Sequence, residues 1–224
     1  MIKESHLKGV YVEERGRWKN FFTKNYVQGQ KVYTERLIKQ GKDEFREWVP
    51  EKSKLGAAIY NKISQIGIKP GSKVLYLGAA TGTTCSHVSD IIGPEGELYA
   101  LDFAPRTQRE LVFLTESRDN MACLLEDAKR PKEYKDKIPE VDVIFQDIAQ
   151  RDQAKIFLKN VKECLKPGGF ALLAVKARSI DVTRHPKDIF NEVRDQLEDE
   201  VVIVDSRTLE PHQKAHYMFV VKKV

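Results

Sequence analysis

A loop of small residues follows one of the most apolar segments of the chain and could hold a nucleotide-like cofactor. The four residues 74–77 are typical of a buried parallel strand, and Gly78, Ala80 and Gly82 keep the following loop free of bulky side chains. Asp102 ends the next apolar run, where a carboxylate can accept hydrogen bonds from both ribose hydroxyls of an adenosine group. Together the two segments predict a cofactor that contains adenosine.

The same loop separates two kinds of cofactor. Dinucleotide-binding dehydrogenases have glycine at the second position, so that the backbone can contact a pyrophosphate, and this chain has Ala80 there. The spacing of Gly78, Ala80 and Gly82 instead resembles the first motif of methyltransferases that use S-adenosyl-L-methionine, which has no phosphate. This methyl donor is therefore favoured, with a nicotinamide cofactor or an accidental glycine loop as the alternatives.

Acid-base residues indicate which atom would receive a methyl group. No cysteine follows a proline, which disfavours methylation of pyrimidine carbon 5, and the segment 147–150 lacks the Pro-Pro pair of enzymes that methylate base amino groups. A ribose 2'-hydroxyl is a weak acid, and a base or cation assists its attack. Four residues that could converge on such a hydroxyl are Lys54, Asp147, Lys176 and His216.

Structural explanations compete with each of these catalytic assignments. Lys176 could be a solvated lysine at a strand end, Asp147 a helix cap, and His216 a hydrogen-bonded histidine of a sheet. A shared metal ion is not indicated, because His212 and His216 precede or begin a predicted strand, in which four residues span about 13 Å. The three scattered cysteines, Cys85, Cys123 and Cys164, are expected to be reduced and buried.

Alternating strand and helix patterns after residue 50 predict the sheet and helices that must position these residues. The predicted helices lie at 54–63, 84–91, 105–116, 153–165 and 186–197. The predicted strands lie at 73–77, 97–102, 122–125, 141–145, 170–176, 201–206 and 215–221. Too few residues separate the last two strands for a crossover, so the last strand must be antiparallel. The predicted fold is therefore α/β, with a Rossmann-like seven-stranded methyltransferase sheet.

Ligands of open parallel sheets bind beyond the carboxyl ends of the strands. The residues there are the loop 78–84, Asp102 with Phe103, Asp127 with Ala128, the segment 147–150, and Lys176. Phe103 could pack on an adenine ring, and Asp127 could accept a hydrogen bond from the adenine amino group. Asp127 could instead cap a helix near Pro131.

Residues 1–50 differ in pattern and in charge from the rest. Short alternating and aromatic runs separated by glycines predict a small antiparallel β domain, followed by a methyltransferase domain at 51–224. Trp18, Phe22 and Trp48 are expected in its core, although aromatics interleaved with lysines can also bind nucleic acid. This segment has eleven Lys or Arg against seven Asp or Glu, which favours a polyanionic partner or simply a basic surface.

Several long motifs resemble the fibrillarin family, in order and from near residue 9 to the end. They are Ser53-Lys54-Leu55-Gly56-Ala57-Ala58-Ile59, the segment from Leu77 to Asp90, Gln146-Asp147-Ile148-Ala149-Gln150, and the segment from Leu209 to His216. The Gly/Arg-rich tail of the eukaryotic form is absent, so the similarity is to archaeal members. Asp102 stands where the family usually has Glu, and His212 where it usually has Tyr. The latter leaves open whether His212 or His216 serves the site.

The resemblance implies a ribose 2'-O-methyltransferase that acts on rRNA, and also tRNA as a possible substrate, in a box C/D guide ribonucleoprotein. Its partners would be guide RNA, target RNA, a Nop-type scaffold protein and a kink-turn-binding ribosomal-like protein. The implied catalytic residues are Lys54, Asp147, Lys176 and His216. The implied and expected contacts with S-adenosyl-L-methionine are Gly78, Ala80, Thr83, Thr84, Asp102, Phe103, Asp127, Ala128, Asp147, Ile148, Ala149 and Gln150.

Composition limits the function classes further. The 224 residues are 41% hydrophobic and 32% charged, no apolar run reaches the length of a membrane span, and the first residues lack a signal-peptide core, so a cytoplasmic protein is expected. Two other functions stay open. Failure to bind the methyl donor would favour a non-catalytic RNA-binding or assembly subunit, and methylation of metabolites without guide RNA would favour a small-molecule methyltransferase.

Overall fold

A computed structural model of the chain describes residues 1–16 and 18–224, which contain two β-sheets. The amino-terminal sheet has five antiparallel strands in the spatial order β1-β2-β3-β5-β4, as the hairpin pattern predicts. Its strands are β1 (Lys3–Glu4), β2 (Val10–Arg15), β3 (Trp18–Lys24), β4 (Leu37–Gln40) and β5 (Asp43–Glu47).

Two of the three aromatic residues expected in the core of this sheet are there. Phe22 and Trp48 are fully buried, whereas Trp18 is 80% exposed, so the prediction for Trp18 is wrong. The physical reason is its position: Trp18 is the first residue of β3, and its backbone pairs with the last residue of β2. It therefore lies at the end of this strand pair, where its side chain is left exposed.

The second sheet has seven strands in the order β11-β12-β10-β9-β6-β7-β8. Strand β12 is antiparallel to both of its neighbours, β10 and β11, and the other pairs are parallel. The predicted α/β sheet with a reversed last strand is confirmed. Its strands are β6 (Lys73–Leu77), β7 (Glu97–Asp102), β8 (Met121–Leu125), β9 (Val141–Gln146), β10 (Leu165–Lys176), β11 (Val202–Thr208) and β12 (His216–Lys222).

Helices cover both faces of the second sheet. Along β6, Val74 and Tyr76 join the core beneath α1 and α2, and the alternating Leu75 and Leu77 join the core beneath α4. The helices are α1 (Lys54–Tyr60), α2 (Thr83–Ile92), α3 (Pro105–Glu116), α4 (Gln153–Cys164), α5 (Ala177–Ile180) and α6 (Pro186–Glu198). Short 3-10 turns lie at Pro50–Lys52, Pro131–Glu133 and Lys135–Lys137.

Two local differences from the sequence predictions have clear causes. Helix α1 ends at Tyr60 rather than at 63, because the Asn61 side chain donates hydrogen bonds to the carbonyls of Thr208 and Glu210 and Lys62 has a left-handed backbone with φ of 61°. Cys123 is only partly buried, since it lies on the edge strand β8. No helix among the described residues is long and apolar enough to cross a membrane.

A buried network of charges joins the amino-terminal sheet to α2. The Arg46 guanidinium contacts the carboxylates of Glu35 and Asp90 at 2.9 Å, and Arg118 contacts the other oxygen of Asp90 at 2.8 Å. All of these side chains are almost completely buried. Removal of one partner from such a network typically costs about 3–5 kcal/mol, because it leaves a buried charge unpaired. The network thus holds the amino-terminal sheet against α2. The domain boundary expected at residue 50 stays a prediction.

His87 lies within this network as a neutral side chain. The Thr23 hydroxyl donates to Asp90, so it must accept from His87 Nδ1, and the other ring nitrogen lies 2.6 Å from the Tyr33 hydroxyl. The ring also stacks on Trp48 with centroids 4.7 Å apart. Complete burial holds the pKa of His87 well below its ordinary value of 6.5, and the Arg46 and Arg118 cations lower it further.

This shift predicts that stability decreases in mild acid. Below pH 6.5 the unfolded chain binds a proton at His87 that the folded chain excludes, so the free energy of unfolding falls as the pH falls. The slope should approach about 1.4 kcal/mol per pH unit, and it can be measured by urea unfolding between pH 7.5 and 5.5. His87→Gln should flatten this dependence, whereas the exposed control His185→Gln should not. Equal slopes in wild type and His87→Gln would contradict the assignment.

Candidate active site

A cavity of about 410 Å³ opens at the carboxyl ends of β6 to β9, where the sequence predicts a cofactor. Its volume lies within the ordinary range of small-molecule sites. Ten of the twelve residues expected to contact the cofactor line it: Gly78, Ala80, Asp102, Phe103, Asp127, Ala128, Asp147, Ile148, Ala149 and Gln150. Leu101, Lys129 and Ile156 also line the cavity, and the sequence interpretation missed them.

Gly78 allows two loops to meet at the floor of this cavity. Its φ is 85°, and a Cβ atom there would lie 2.3 Å from the carbonyl oxygen of Asp147. The Gly78 and Ala79 amides both donate to the Leu101 carbonyl, and the Asp147 amide donates to the Leu77 carbonyl. A larger residue would be strained and would push the loops apart. The apolar strand thus ends in a glycine because the backbone of a neighbouring loop lies where a side chain would be.

Asp102 anchors the loop as well as facing the cavity. Its Oδ2 accepts from the Ala80 amide at 2.8 Å, and its Oδ1 accepts from the Ala104 amide at 2.9 Å and the Thr107 hydroxyl at 3.2 Å. The Thr107 hydroxyl also lies 3.0 Å from the Ala104 carbonyl, and its one proton can be donated to only one of these two acceptors. Asp102 therefore keeps acceptor positions for a ligand, and its contact with both ribose hydroxyls stays a prediction.

The two candidate adenine contacts, Phe103 and Asp127, both line the cavity. Phe103 is 65% exposed and presents a free ring surface at the rim. Asp127 Oδ1 accepts from the Lys129 amide at 2.9 Å, which is the capping role considered for it, but in a turn rather than a helix. Its Oδ2 accepts no hydrogen bond from the described residues and is available for a ligand.

Thr83 and Thr84 are the two expected cofactor contacts that do not line the cavity. Thr84 is buried, and its hydroxyl donates to Ser53 Oγ at 3.0 Å, so it serves the start of α1. Thr83 is the first residue of α2, and its carbonyl accepts from the Ser86 hydroxyl. The loop up to Gly82 determines this difference, because its left-handed residues turn the chain toward α1 before the helix begins.

Lys54 and Asp147 form an ion pair at the edge of the cavity. The Lys54 ammonium donates to Asp147 Oδ2 at 2.7 Å, and both side chains are mostly buried. Lys54 is held at the first position of α1, which begins there because the Ser53 hydroxyl accepts from the Gly56 amide. Asp147 follows β9 and also lines the cavity, so it belongs both to the cavity and to the predicted group of four.

Lys176 and His216 complete this group, which we call the quartet: Lys54, Asp147, Lys176 and His216. The two residues are direct partners across the antiparallel pair of β10 and β12, and the exposed Lys176 has no carboxylate partner among the described residues. His216 Nδ1 must donate to the Lys214 carbonyl at 2.7 Å, which leaves a lone pair on Nε2. That Nε2 atom is buried and has no partner among the described residues.

The quartet side chains are close enough to influence one another electrostatically. Burial lowers the pKa of His216 below its ordinary value of 6.5. The Lys54 and Lys176 cations lower this pKa further, while the Lys214 carbonyl and the Asp147 carboxylate oppose the shift. The lowered pKa favours the neutral His216 ring, in which Nε2 is a hydrogen-bond acceptor.

His212 does not share this environment. Its Nδ1 lies 2.8 Å from a Glu51 carboxylate oxygen, and its ring packs edge-on against Tyr60 with centroids 5.4 Å apart. The structure thus pairs His216, and not His212, with Lys176. The catalytic role of His216 stays a prediction.

Gln153 is a buried residue of this region that the sequence interpretation missed. Its Oε1 accepts from the Lys176 amide at 3.1 Å, and its Nε2 donates to the carbonyls of Gln150 at 2.9 Å and Lys176 at 3.4 Å. Gln153 therefore links the cofactor-lining segment to the strand end that carries Lys176. Only its place at the start of a predicted helix next to the segment 147–150 could have indicated it, and exposed glutamines also occupy such positions.

Comparisons with known proteins agree with this geometry. The family model described as Fibrillarin matches residues 1–224. The chain is 51% identical over 99% of both chains to a fibrillarin-like rRNA/tRNA 2'-O-methyltransferase of Thermococcus onnurineus. It superimposes with a TM-score of 0.90 on an Aeropyrum pernix fibrillarin with natively bound S-adenosyl-L-methionine, at 39% identity over 99% of this chain and 97% of that chain. It superimposes with a TM-score of 0.87 on a fibrillarin from a complex with Nop5p, at 34% identity over 99% of this chain and 100% of that chain.

Proposed function

This chain belongs to the fibrillarin family, and from that premise we propose that it transfers the methyl group of S-adenosylmethionine to ribose 2'-hydroxyls of rRNA and tRNA. We place it as the catalytic subunit of a box C/D guide ribonucleoprotein. The observation that carries the proposal is the position of Asp147, which lines the cofactor cavity and binds Lys54 at 2.7 Å. The methyl-donor cavity and the quartet are thereby adjacent parts of one site.

The cavity residues fit S-adenosylmethionine. Gly78 and Ala80 leave the loop backbone open, Asp102 offers a carboxylate position for a ribose hydroxyl, and Phe103 offers a ring face for adenine. Asp127 Oδ2 remains available for the adenine amino group. When bound, the cofactor supplies a methyl group activated by its sulfonium. The dinucleotide alternative does not fit as well, because Ala80, with its side chain, stands where a pyrophosphate would need close backbone contact.

The quartet residues have distinct roles toward the RNA hydroxyl. We assign Lys176 the contact with the 2'-oxygen, since its side chain is exposed and unpaired. In this role Lys176 first releases its own proton to solvent, and the neutral amine then takes up the hydroxyl proton as the oxygen bonds to the methyl group. The Lys54–Asp147 pair is assigned to the same reaction centre, at the edge of the methyl-donor cavity. His216, the strand partner of Lys176, has a free lone pair on Nε2 that can accept a hydrogen bond.

The partners are proposed on the same premise. A solved relative is a fibrillarin in complex with Nop5p, which supports a Nop-type scaffold protein as the partner of this chain. Guide RNA, target RNA and a kink-turn-binding protein would complete the particle. Base pairing would then select the target, which agrees with a chain that has only five net positive charges.

The function is tested by methyl transfer in a particle reconstituted from this chain, a guide RNA, a Nop-type scaffold protein and a kink-turn-binding protein. Radiolabel from S-adenosylmethionine should enter the guided target RNA, and a target with one 2'-deoxy residue at the guided position should take up none. Labelling of the deoxy target, or labelling of metabolites by the chain alone, would contradict the proposal. Binding of the donor without any transfer would instead favour a non-catalytic assembly subunit.

Gln153 should influence the reaction through Lys176. In Gln153→Leu the Lys176 amide and carbonyl lose their side-chain partner, and we expect kcat to fall by about 10-fold to 100-fold from misplacement of the catalytic nitrogen. The KM for S-adenosylmethionine should change much less. As a control, Gln196→Leu alters a glutamine on α6 that bonds only Glu192 among the described residues. A purely structural role would lower the unfolding free energy of Gln153→Leu without changing kcat of the folded enzyme.

A further inference from the structure

A second cavity, of about 500 Å³, adjoins one member of the quartet and shares no lining residue with the methyl-donor cavity. His216 is part of its wall. Lys176 faces His216 across the strand pair, and Arg178, two residues further along, also lines the cavity. A ligand in this cavity would therefore lie next to any group that is bound by Lys176.

The cavity lining is strongly basic. Arg178, Lys187 and Lys214 are exposed and have no carboxylate within 4.0 Å among the described residues, and His185 lies beside them. Glu210 is the one carboxylate in the lining, and its Oε1 accepts from the Ala215 amide at 2.8 Å. An anionic ligand is the chemistry that such a lining selects.

The start of α6 contributes side chains rather than free amides to this cavity. The Lys187 amide donates to His185 Nδ1 at 3.3 Å, and the Asp188 amide donates to the His185 carbonyl at 3.1 Å. Because Nδ1 accepts this bond, the neutral His185 ring carries its proton on Nε2 and can donate it to an anion. The binding groups are therefore the His185 ring and the three cations.

We propose that this cavity binds a backbone phosphate of the RNA strand whose ribose is methylated. The inference rests on the proposed function, since every ribose in a strand is flanked by phosphodiesters that lie close to its 2'-hydroxyl. Arg178 can bind a phosphate through two N–H groups, and Lys187 and Lys214 add point charges around it. Contacts of this kind position the strand without reading its sequence, as a guide-directed enzyme requires.

The test measures RNA binding apart from methyl transfer. The full chain, saturated with S-adenosylmethionine, is titrated into a fluorescent guide-target RNA duplex at 50 to 300 mM KCl, for wild type and the double variant Arg178→Ala, Lys214→Ala. Loss of two of the cations around this phosphate should weaken binding by at least about tenfold at low salt and reduce the slope of log K against log[KCl] by up to about 0.9, the value for one neutralised phosphate. Affinity for S-adenosylmethionine should be unchanged.

Two comparisons make the result decisive. Lys69→Ala removes an exposed, unpaired lysine that lines a different cavity and should leave affinity and slope near those of wild type. If the double variant matches wild type, or if it loses only scaffold binding, the phosphate site is wrong. Methyl transfer is measured in parallel in the reconstituted particle. If the proposed function is wrong, the wild-type particle binds RNA but transfers no methyl group. If the phosphate site is wrong, methyl transfer occurs and does not depend on Arg178 and Lys214.

Discussion

Lys176→Ala is expected to lower the rate of methyl transfer to guided RNA by about 100-fold to 10,000-fold, the range for loss of a general acid-base group. Affinity for S-adenosylmethionine should remain near that of wild type, because Lys176 does not line the donor cavity. The reason is the state of the nitrogen: Lys176 is the exposed, unpaired lysine of the quartet, whereas Lys54, the other, is bound to Asp147.

Isothermal calorimetry with S-adenosylmethionine and single-turnover methyl transfer in the reconstituted particle separate these two effects. Lys69→Ala removes a lysine remote from both cavities at the reaction centre and provides the matched control. Full activity of Lys176→Ala would eliminate the assigned role. Equal loss of donor affinity and of rate would place Lys176 in cofactor binding instead.

Asp102→Ala is expected to have the largest effect on the cofactor. The change removes the acceptor for a ribose hydroxyl and also the anchor of the Ala80 and Ala104 amides, so the loop loses its hold on the end of β7. A hydrogen bond to a charged group contributes about 1.5–3 kcal/mol, which corresponds to donor affinity lower by about 10-fold to 100-fold. The KM for S-adenosylmethionine should rise in parallel.

Asp102→Glu distinguishes the two roles of this residue. It keeps the charge and provides the residue that the family usually has, but it shifts the carboxylate by one methylene, so we expect donor affinity between that of wild type and that of Asp102→Ala. Asp136→Ala, on the exposed surface, is the control for loss of a carboxylate. Wild-type affinity in Asp102→Ala would show that the cofactor does not contact this strand end.

The sequence was sufficient to predict the fold because its elements are separated by clear signals. Strands β6 to β12 are apolar runs between polar turns, and the short link through Pro211 required β12 to reverse direction. It was less informative where burial depends on distant contacts. Trp18 is aromatic in a strand but lies beyond the packed part of its hairpin, and the sequence alone does not show where that packing ends.

The sequence predicted which strand-end residues line the cavity, but it did not predict contacts between residues that are far apart in the chain. The strand-end residues Gly78, Asp102 and Asp147 reach the cavity because parallel strands place their carboxyl ends together. Thr84 does not line the cavity, because its hydroxyl donates a hydrogen bond to Ser53 at the start of α1. These two residues are 31 positions apart in the chain. Gln153 forms hydrogen bonds with the backbone of Lys176, and no residue pattern in the sequence indicates such a partner.

The most direct test of the central claim is a map of 2'-O-methylated riboses in target RNA after incubation with the reconstituted particle, repeated with each component omitted in turn. The account predicts one methylated ribose at the position selected by the guide RNA, its loss when the guide, the scaffold protein or this chain is absent, and its movement when the guide sequence is changed. Methylation that persists without guide RNA, or that falls on base atoms rather than the ribose, would contradict it.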